Sequence, residues 1–468
     1  YGKGLQEVDL VGTKSFDEVI QRVIQFHENN HTDWIIGRGW DQNDWNMKVF
    51  PTKNKLDSLF PNQPVFLKRV DGHAALVNAE ALRRSSVSEN TKTEGGIIEV
   101  KDAKLTGILI DNAIDLVAKI IPTPSKKEAR LALLSAQKNC FAVGLTTVDD
   151  AGLEKQVVDL IDEMQKNGEL KIRVYAMLTD NKENLDYFLE KGRYKTERLN
   201  VRSFKFYSDG ALGSRGACLL HPYSDKPEQQ GFLLSKPEYF AEMAQKVLEK
   251  GFQMNTHCIG DSAVRLILNI YGKLFMDHIS KESRTPSLLD ARWRIEHFQV
   301  TTMHDIALIP SGFKSNSKNI IPSIQPTHAT SDMYWAKDRL GPERLKYAYA
   351  YKDLLKFAGM VALGTDFPVE DINPIYTFYA AVARKDLQGF PEKGFQPENA
   401  LTREEALKGM TIWAAYANFE EKEKGSIEKG KFADFVVLGT DVMKTSIDNL
   451  PKTKVVYTFV NGEKVFGK

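Results

Sequence analysis

From about residue 125 the chain alternates helix-spaced apolar stretches with short apolar strands, and no other feature limits the fold as tightly. "SKKEARLALLSAQKNCFAVG" has apolar residues at helical spacing, and "LTTVDDAG" then reads as a short buried strand. The unit recurs. "KQVVDLIDEMQKNG" leads to "LKIRVYAML", a longer connection leads to "RSFKFYSDG", and "KPEYFAEMAQKVLEKG" leads to "FQMNTHC". The helix "DSAVRLILNIYGKLFMDHI" precedes "RWRIEHFQV"; then come "IPSIQPTH", the helix "YKDLLKFAG" and "MVALGTD". Such alternation means parallel βα units. Right-handed crossovers then leave a doubly wound sheet or a barrel.

Counting gives seven strands, most of them ending in a polar residue followed by Gly, Ala or a loop. Polar residues gathered at strand C-termini are the pattern of the active face of a (β/α)8 TIM-type barrel. A closed barrel needs eight strands, so the first is expected before residue 1. "LQEVDLVGTKSFDEVIQRVIQFHENN" fits that, as a connection running into a helix whose end carries His27 and His31, read as solvated. Residues 33–124 break the rhythm with "DWIIGRGW", "PVFLKRVDGHAALVN", "GGIIEV" and "LTGILI", read as an α+β insertion near the barrel mouth. After the helix "LTREEALKGMTIWAAYANF" come "GSIEKGKFADFVVLG" and "KVVYTFVNGEKVFGK", whose Asn-Gly marks a hairpin. The expected organisation is barrel start over 1–32, insertion over 33–124, barrel over 125–424 and half of a composite β module over 425–468. That last module has too few strands to bury a face alone.

Bulk properties exclude several classes. Lys and Arg number 63 against 62 Asp and Glu, so no basic surplus argues for nucleic acid. No run of about 18 apolar residues appears, so no membrane span is expected. Cys140, Cys218 and Cys258 lie outside any CxxC and cannot all pair, which leans towards a reducing compartment and slightly favours the cytoplasm. The chain opens at Tyr1 with no leader, so the compartment stays open, as does homo-oligomer formation.

Strand alternation tests the direction of each candidate side chain. In "SFKFYSD", Phe204 and Phe206 point one way, and Lys205, Tyr207 and Asp209 the other. If the Phe face meets the outer helices, Lys205 is aimed into the barrel, where burial lowers an amine pKa. A neutral amine can react with CO2 to give a carbamate able to bridge two metal ions. In "FQMNTHC", Gln253, Asn255 and His257 share the polar face and Cys258 the other. Asp366 in "MVALGTD" shares its face with Ala362 and Gly364, which leaves room beside the carboxylate. His297 conflicts with this pattern: it has the parity of Trp293 and Ile295, with Arg294 and Glu296 opposite, so alternation reads it as packing. Imidazole, carboxylate and carbamate together suit zinc or a similar divalent ion.

"DGHAALVN", "FKFYSDGALGSR", "THCIGD", "RIEHFQV", "LGTDFPV" and "GSIEKGKFADFVVL" together resemble the metal-dependent amidohydrolase superfamily, in the subgroup resembling N-substituted formamide deformylase (amidohydrolase family 3). The resemblance spans essentially the whole chain. It implies His257 and His297 as metal ligands, Lys205 as a carboxylated bridging ligand, and Asp366 as a ligand and the catalytic carboxylate. It overrules alternation for His297. It also implies His73 and Asp209 in the substrate pocket, with Trp40 and His328 as weaker candidates. The implied function is hydrolysis of a C–N, amide-like, non-peptide bond in a small molecule. Metal-activated hydroxide would attack, with one or two divalent ions bound, zinc first, and Asp366 as general base. The superfamily's His-x-His pair is absent from these 468 residues, and without it the chain is expected to be inactive. The alternatives are a metal-poor barrel that binds a small molecule, or an esterase or phosphoesterase on the same site.

Overall fold

The computed structural model describes residues 1–2, 4, 7–29, 33–122, 125–279, 290–311 and 319–467. They fall into two compact units. One comprises Tyr1–Ser135, Asp209–Ser235 and Phe367–Val369; the other comprises Ala136–Ser208, Lys236–Asp366 and Glu370–Lys468.

The first unit is built on a six-stranded sheet. Its strands are β1 (Val8–Asp9), β2 (Ile35–Trp40), β3 (Val65–Arg69), β4 (Ala74–Val77), β5 (Gly96–Lys101) and β6 (Lys104–Asp111), in spatial order β1-β2-β3-β4-β6-β5. β1, β2 and β3 run parallel, while β4, β5 and β6 pair antiparallel. The period of two decides where each side chain goes. Val65, Leu67, Leu76, Ile108 and Ile110 enter one apolar cluster, and Phe66, Ala75, Val77 and Leu109 the other, so the sheet is covered on both faces. His27, in the last turn of the helix Phe16–Asn29, is half-buried with its ring 5.4 Å from that of Phe60, while Glu28 and Asn29 after it are exposed. His31 lies outside the described residues.

In the second unit seven parallel strands follow one another in the order the sequence suggests. They are β7 (Thr147–Leu153), β8 (Arg173–Thr179), β10 (Leu199–Tyr207), β11 (Gln253–Cys258), β12 (Trp293–His297), β13 (Ile320–Ile324) and β14 (Ala362–Leu363), with β9 (Tyr194–Lys195) antiparallel on β10. The sheet curls as a half-barrel. Arg294 on β12 donates from Nη1 to Asp149 Oδ2 on β7 at 2.7 Å, although the two strands lie four steps apart along the pairing path. Flat strands about 4.8 Å apart would separate them far beyond hydrogen-bond range.

The helices Lys155–Lys166, Pro237–Glu249, Asp261–Ile279 and Tyr351–Ala358 lie where the periodicity puts them. Three local expectations are corrected. The connection before β10 contains a helix, Lys182–Lys191, capped by the Asn181 side chain accepting from the Asn184 N–H. "IPSIQPTH" stops being a strand at Ile324, because Pro326 opens the helix Pro326–Asp332. Proline's fixed φ and missing N–H suit a first helical turn. "LTREEALKGMTIWAAYANF" is two helices, Arg403–Met410 and Ile412–Ala417, broken at Thr411 with φ −127 and ψ −94.

β15 (Phe435–Leu438), β16 (Val455–Val460) and β17 (Glu463–Phe466) form a three-stranded antiparallel sheet. The β16–β17 turn is Asn461-Gly462 with φ of 53 and 79, the left-handed pair that an Asn-Gly hairpin turn needs. Among the described residues no helix is long and apolar enough to cross a membrane.

Candidate metal site

The site grows from the ends of β10 to β14, all in the second unit. Phe204 and Phe206 are fully buried on the outer face of β10, where Phe206 meets Tyr239 of the helix Pro237–Glu249 at 6.3 Å between rings. Lys205 therefore points inward, with Nζ 4.7 Å from the Tyr207 ring centroid. It is buried, and among the described residues it has no ion pair or hydrogen bond. Burial holds its ammonium below the usual lysine range, against the opposing pull of the Glu296 and Asp366 carboxylates.

Next along the register, Lys205 pairs with Asn255 and Tyr207 with His257. The His257 ring lies 5.4 Å from Tyr207 and 4.5 Å from His297. Ser208 fixes this end of β11 by donating to the His257 carbonyl from its N–H at 3.0 Å and its hydroxyl at 2.5 Å. Cys258 faces away and is fully buried, beside the outward Thr256, whose hydroxyl lies 2.7 Å from the Tyr271 hydroxyl.

His297 ends β12 at φ +71, followed by Phe298 at +45. The strand leaves extended geometry at this residue, so the alternation that made His297 a packing residue no longer applies. Asp366, three residues past β14, also sits in the left-handed region at φ +58. Such conformations cost a non-glycine residue about 1–3 kcal/mol and gather at functional sites.

His328, expected at most in a substrate wall, joins this group. One ligand atom each from His297, His328 and Asp366 lies within 4.8 Å of the others, an arrangement able to hold a metal ion. His328 Nε2 is 3.2 Å from Asp366 Oδ2, and its Nδ1 is 2.9 Å from Glu370 Oε1. Partial burial raises the Asp366 pKa, but the His328 hydrogen bond and the His297, His328 and Lys205 charges hold it down to about 2. The two carboxylates also hold His328 well above its ordinary value despite burial.

The donor set suits a divalent cation: imidazole and carboxylate are ligands for zinc and its neighbours. Orphaned groups line the same interior. Neither amide atom of the fully buried Asn255 has a hydrogen-bond partner among the described residues, nor does Glu296 Oε1. Buried polar groups are ordinarily paired, so these fit a site that takes further polar occupants. Glu296, Asn255 and Glu370 received no role from the sequence. The inward parity of Glu296 in "RIEHF" was a usable signal, whereas Glu370 lies past β14 where no period operates.

The other expected residues belong to the first unit. His73 and Asp111 are bonded twice: the Asp111 N–H donates to the His73 carbonyl at 3.1 Å, and His73 Nδ1 lies 2.6 Å from Asp111 Oδ1. Burial opposes the His73 charge, but Asp111, Asp71 and Asp209 outweigh it and raise its pKa. Asp209 is buried and accepts from the Cys218 N–H at 2.9 Å. Trp40 corrects the substrate-wall expectation. It is core, 1% exposed, with its indole N–H donated to the Leu67 carbonyl and its ring 6.0 Å from Trp45.

A family model described as the amidohydrolase family matches residues 1–466. The chain is 32% identical to the putative amidohydrolase YtcJ of Bacillus subtilis (strain 168), over 100% of this chain and 86% of that protein. It is 25% identical to the N-substituted formamide deformylase of Arthrobacter pascens, over 96% of this chain and 82% of that protein. Among solved structures, an uncharacterized metal-dependent hydrolase from Pyrococcus horikoshii OT3 superposes with a TM-score of 0.73 at 27% identity, covering 95% of this chain and 84% of that one.

Proposed function

The chain belongs to the amidohydrolase family, and on that premise we propose that it hydrolyses a C–N, amide-like bond in a small molecule at a divalent metal site. One observation carries the reading: His297, His328 and Asp366 converge within 4.8 Å at the C-terminal ends of parallel strands, where barrel enzymes keep their chemistry. His257, His297, Lys205 and Asp366 are the residues assigned to hold the metal, with Lys205 as a carbamate if a second ion is present. When bound, such an ion supplies Lewis acidity and lowers the pKa of water to about 7.

The residues do the rest. Asp366, ionised well below neutral pH, accepts a proton from the attacking water at a carboxylate oxygen and returns it to the leaving amine. His73 and Asp209 are assigned to substrate contact. The seven parallel strands are read as part of a (β/α)8 barrel whose further strand carries a His-x-His pair.

Residues 1–468 contain no His-x-His, and that observation favours a second reading, a metal-poor relative that binds a small molecule without turnover. Metal analysis of the purified protein, joined to a screen of N-formyl and N-acyl amines with ester and phosphoester controls, separates the readings. Bound metal with release of amine supports the hydrolase. Absence of metal and turnover from the chain encoded by the whole gene leaves the binding protein.

A further inference from the structure

We propose that Arg202 anchors an anion site at the N-terminal ends of the parallel strands, which takes the carboxylate or phosphate of a small molecule. Every residue in it belongs to the second unit, and it stands whether or not the hydrolase reading does.

Two arginines share one aromatic ring. Phe419 comes two residues after the helix Ile412–Ala417 and sits at φ +60, a strained geometry for a bulky side chain. The Arg202 guanidinium lies over that ring, 3.5 Å from its centroid, and the Arg292 guanidinium lies 4.5 Å from the same centroid. Attraction to the ring face favours each contact, while the two cations repel one another. Arg292 is saturated. Its Nε and Nη2 donate to the two oxygens of Asp290 at 2.7 and 2.8 Å, and its Nη2 and Nη1 to those of Glu421 at 3.1 and 2.9 Å. A second bond from Nη1 reaches the Tyr416 carbonyl at 2.6 Å. A guanidinium has five N–H donors, and these bonds use all of them.

Arg202 is the opposite case. Its side chain makes no hydrogen bond or ion pair among the described residues, and its Nε is enclosed without a partner. Buried donors are ordinarily paired. The residue is half-buried, which leaves its guanidinium edge within reach of a small solute. Burial and the Arg193 and Arg292 charges hold its pKa below the usual arginine range, against the pull of Tyr175 and Asp290. The Asp290 carboxylate has both oxygens on Arg292. Arg193, Arg202 and Arg292 thus stand against Asp290 and Glu421, and a singly charged anion balances the group. A guanidinium edge presents parallel donors that match a carboxylate or phosphate.

The backbone builds Arg202 into this place. β10 pairs with β8 through Val201–Ala176 and then Ser203–Met177, so Arg202 is an extra residue, a β-bulge. Bulges re-aim a side chain. Arg292 immediately precedes β12, whose far end is His297. That length of extended chain puts roughly 16 Å between them, so the anion site is separate from the candidate metal site. An anion held here ties the start of β10 to the segment that carries Phe419, on the barrel face associated with stability.

Thermal unfolding of the full chain tests this, with sodium phosphate, sodium acetate and sodium chloride compared at equal ionic strength. An anion that binds only the folded state raises the midpoint, by about 2 °C at ten times its dissociation constant for a chain of this size. Wild type should gain that shift in phosphate or acetate over chloride. Phosphate acting alone makes the ligand a phosphate, and acetate acting equally makes it a carboxylate; either result supports the site. Arg202→Met keeps the reach of the side chain but none of its donors, so it should show no shift. No shift in wild type overturns the proposal. So does a shift that Arg202→Met retains, because the anion then sits elsewhere, the metal site included. If Arg202→Met does not fold, Arg202→Lys decides. It keeps the charge but loses the fork, so the shift should fall by about half or more, and a full shift overturns the proposal.

Discussion

His297 lies against His257 with ring centroids 4.5 Å apart and planes at 66°, although the strand register places His297 beside Cys258, on the opposite face. Two imidazoles meet across that parity only because β12 ends in left-handed backbone, at φ +71 and +45 for residues 297 and 298. The turn is held after the fact by backbone bonds, such as Val300 N–H to the Ile259 carbonyl at 2.8 Å. The imidazole pair is a product of strand termination.

Asp366→Asn tests the base directly. The amide keeps the shape of the carboxylate but cannot take a proton, so turnover should fall by about 10²-fold to 10⁴-fold. Metal stoichiometry, measured on the same preparation, should be largely kept. Turnover at the wild-type rate removes Asp366 from the proposed chemistry.

Lys205→Met should separate stability from function. Lys205 is 4% exposed with no ion pair among the described residues, and burial disfavours its charged form. Methionine fills similar volume without a charge, so the variant should melt about 2 °C higher. It should also lose occupancy of a second metal. An unchanged metal count shows that Lys205 bridges nothing.

The strands and the inward direction of Lys205 and His257 were readable because a regular period fixes side-chain direction wherever the backbone stays extended. Phe204 and Phe206 against the outer layer carry that logic into the structure. Reading failed where the period stops. His328 looked like a strand-end residue because "IPSIQPTH" reads as one short strand, yet Pro326 had already started a helix. Trp40, a weaker pocket candidate implied by the resemblance alone, has its indole N–H on a carbonyl partner in the core. Glu370 and Asp111 gain their roles from contacts with residues 42 and 38 positions away, which no local pattern encodes.

Gly216→Ala should damage the first unit through contact alone, since Gly216 is not among the glycines with positive φ. A methyl group there would lie 2.4 Å from Asp111 Oδ2, and the carboxylate is tethered to His73. Overpacking of this kind costs about 1–3 kcal/mol, read as a lower midpoint in urea. Adding Asp111→Ala removes the obstructing atom, so the double variant should lose less than the sum of the two single losses. Strict additivity places the clash elsewhere.

The His73–Asp111 contact should make stability depend on pH in a direction opposite to that of an ordinary paired carboxylate. Asp71, Asp111 and Asp209 raise the folded-state pKa of His73 above its unfolded value near 6.5. A group whose pKa is raised on folding binds protons more tightly in the folded state. Its contribution is therefore fully present below about pH 6.5, and is lost as pH rises through the folded value. Melting temperatures of wild type and His73→Gln, compared between pH 5.5 and 9, should differ most at the acidic end and converge at the alkaline end. Glutamine still offers an N–H to Asp111, so the comparison isolates the charge from the hydrogen bond. A difference that stays constant across the range shows that His73 is neutral in the folded protein and that its bond to Asp111 contributes by geometry alone.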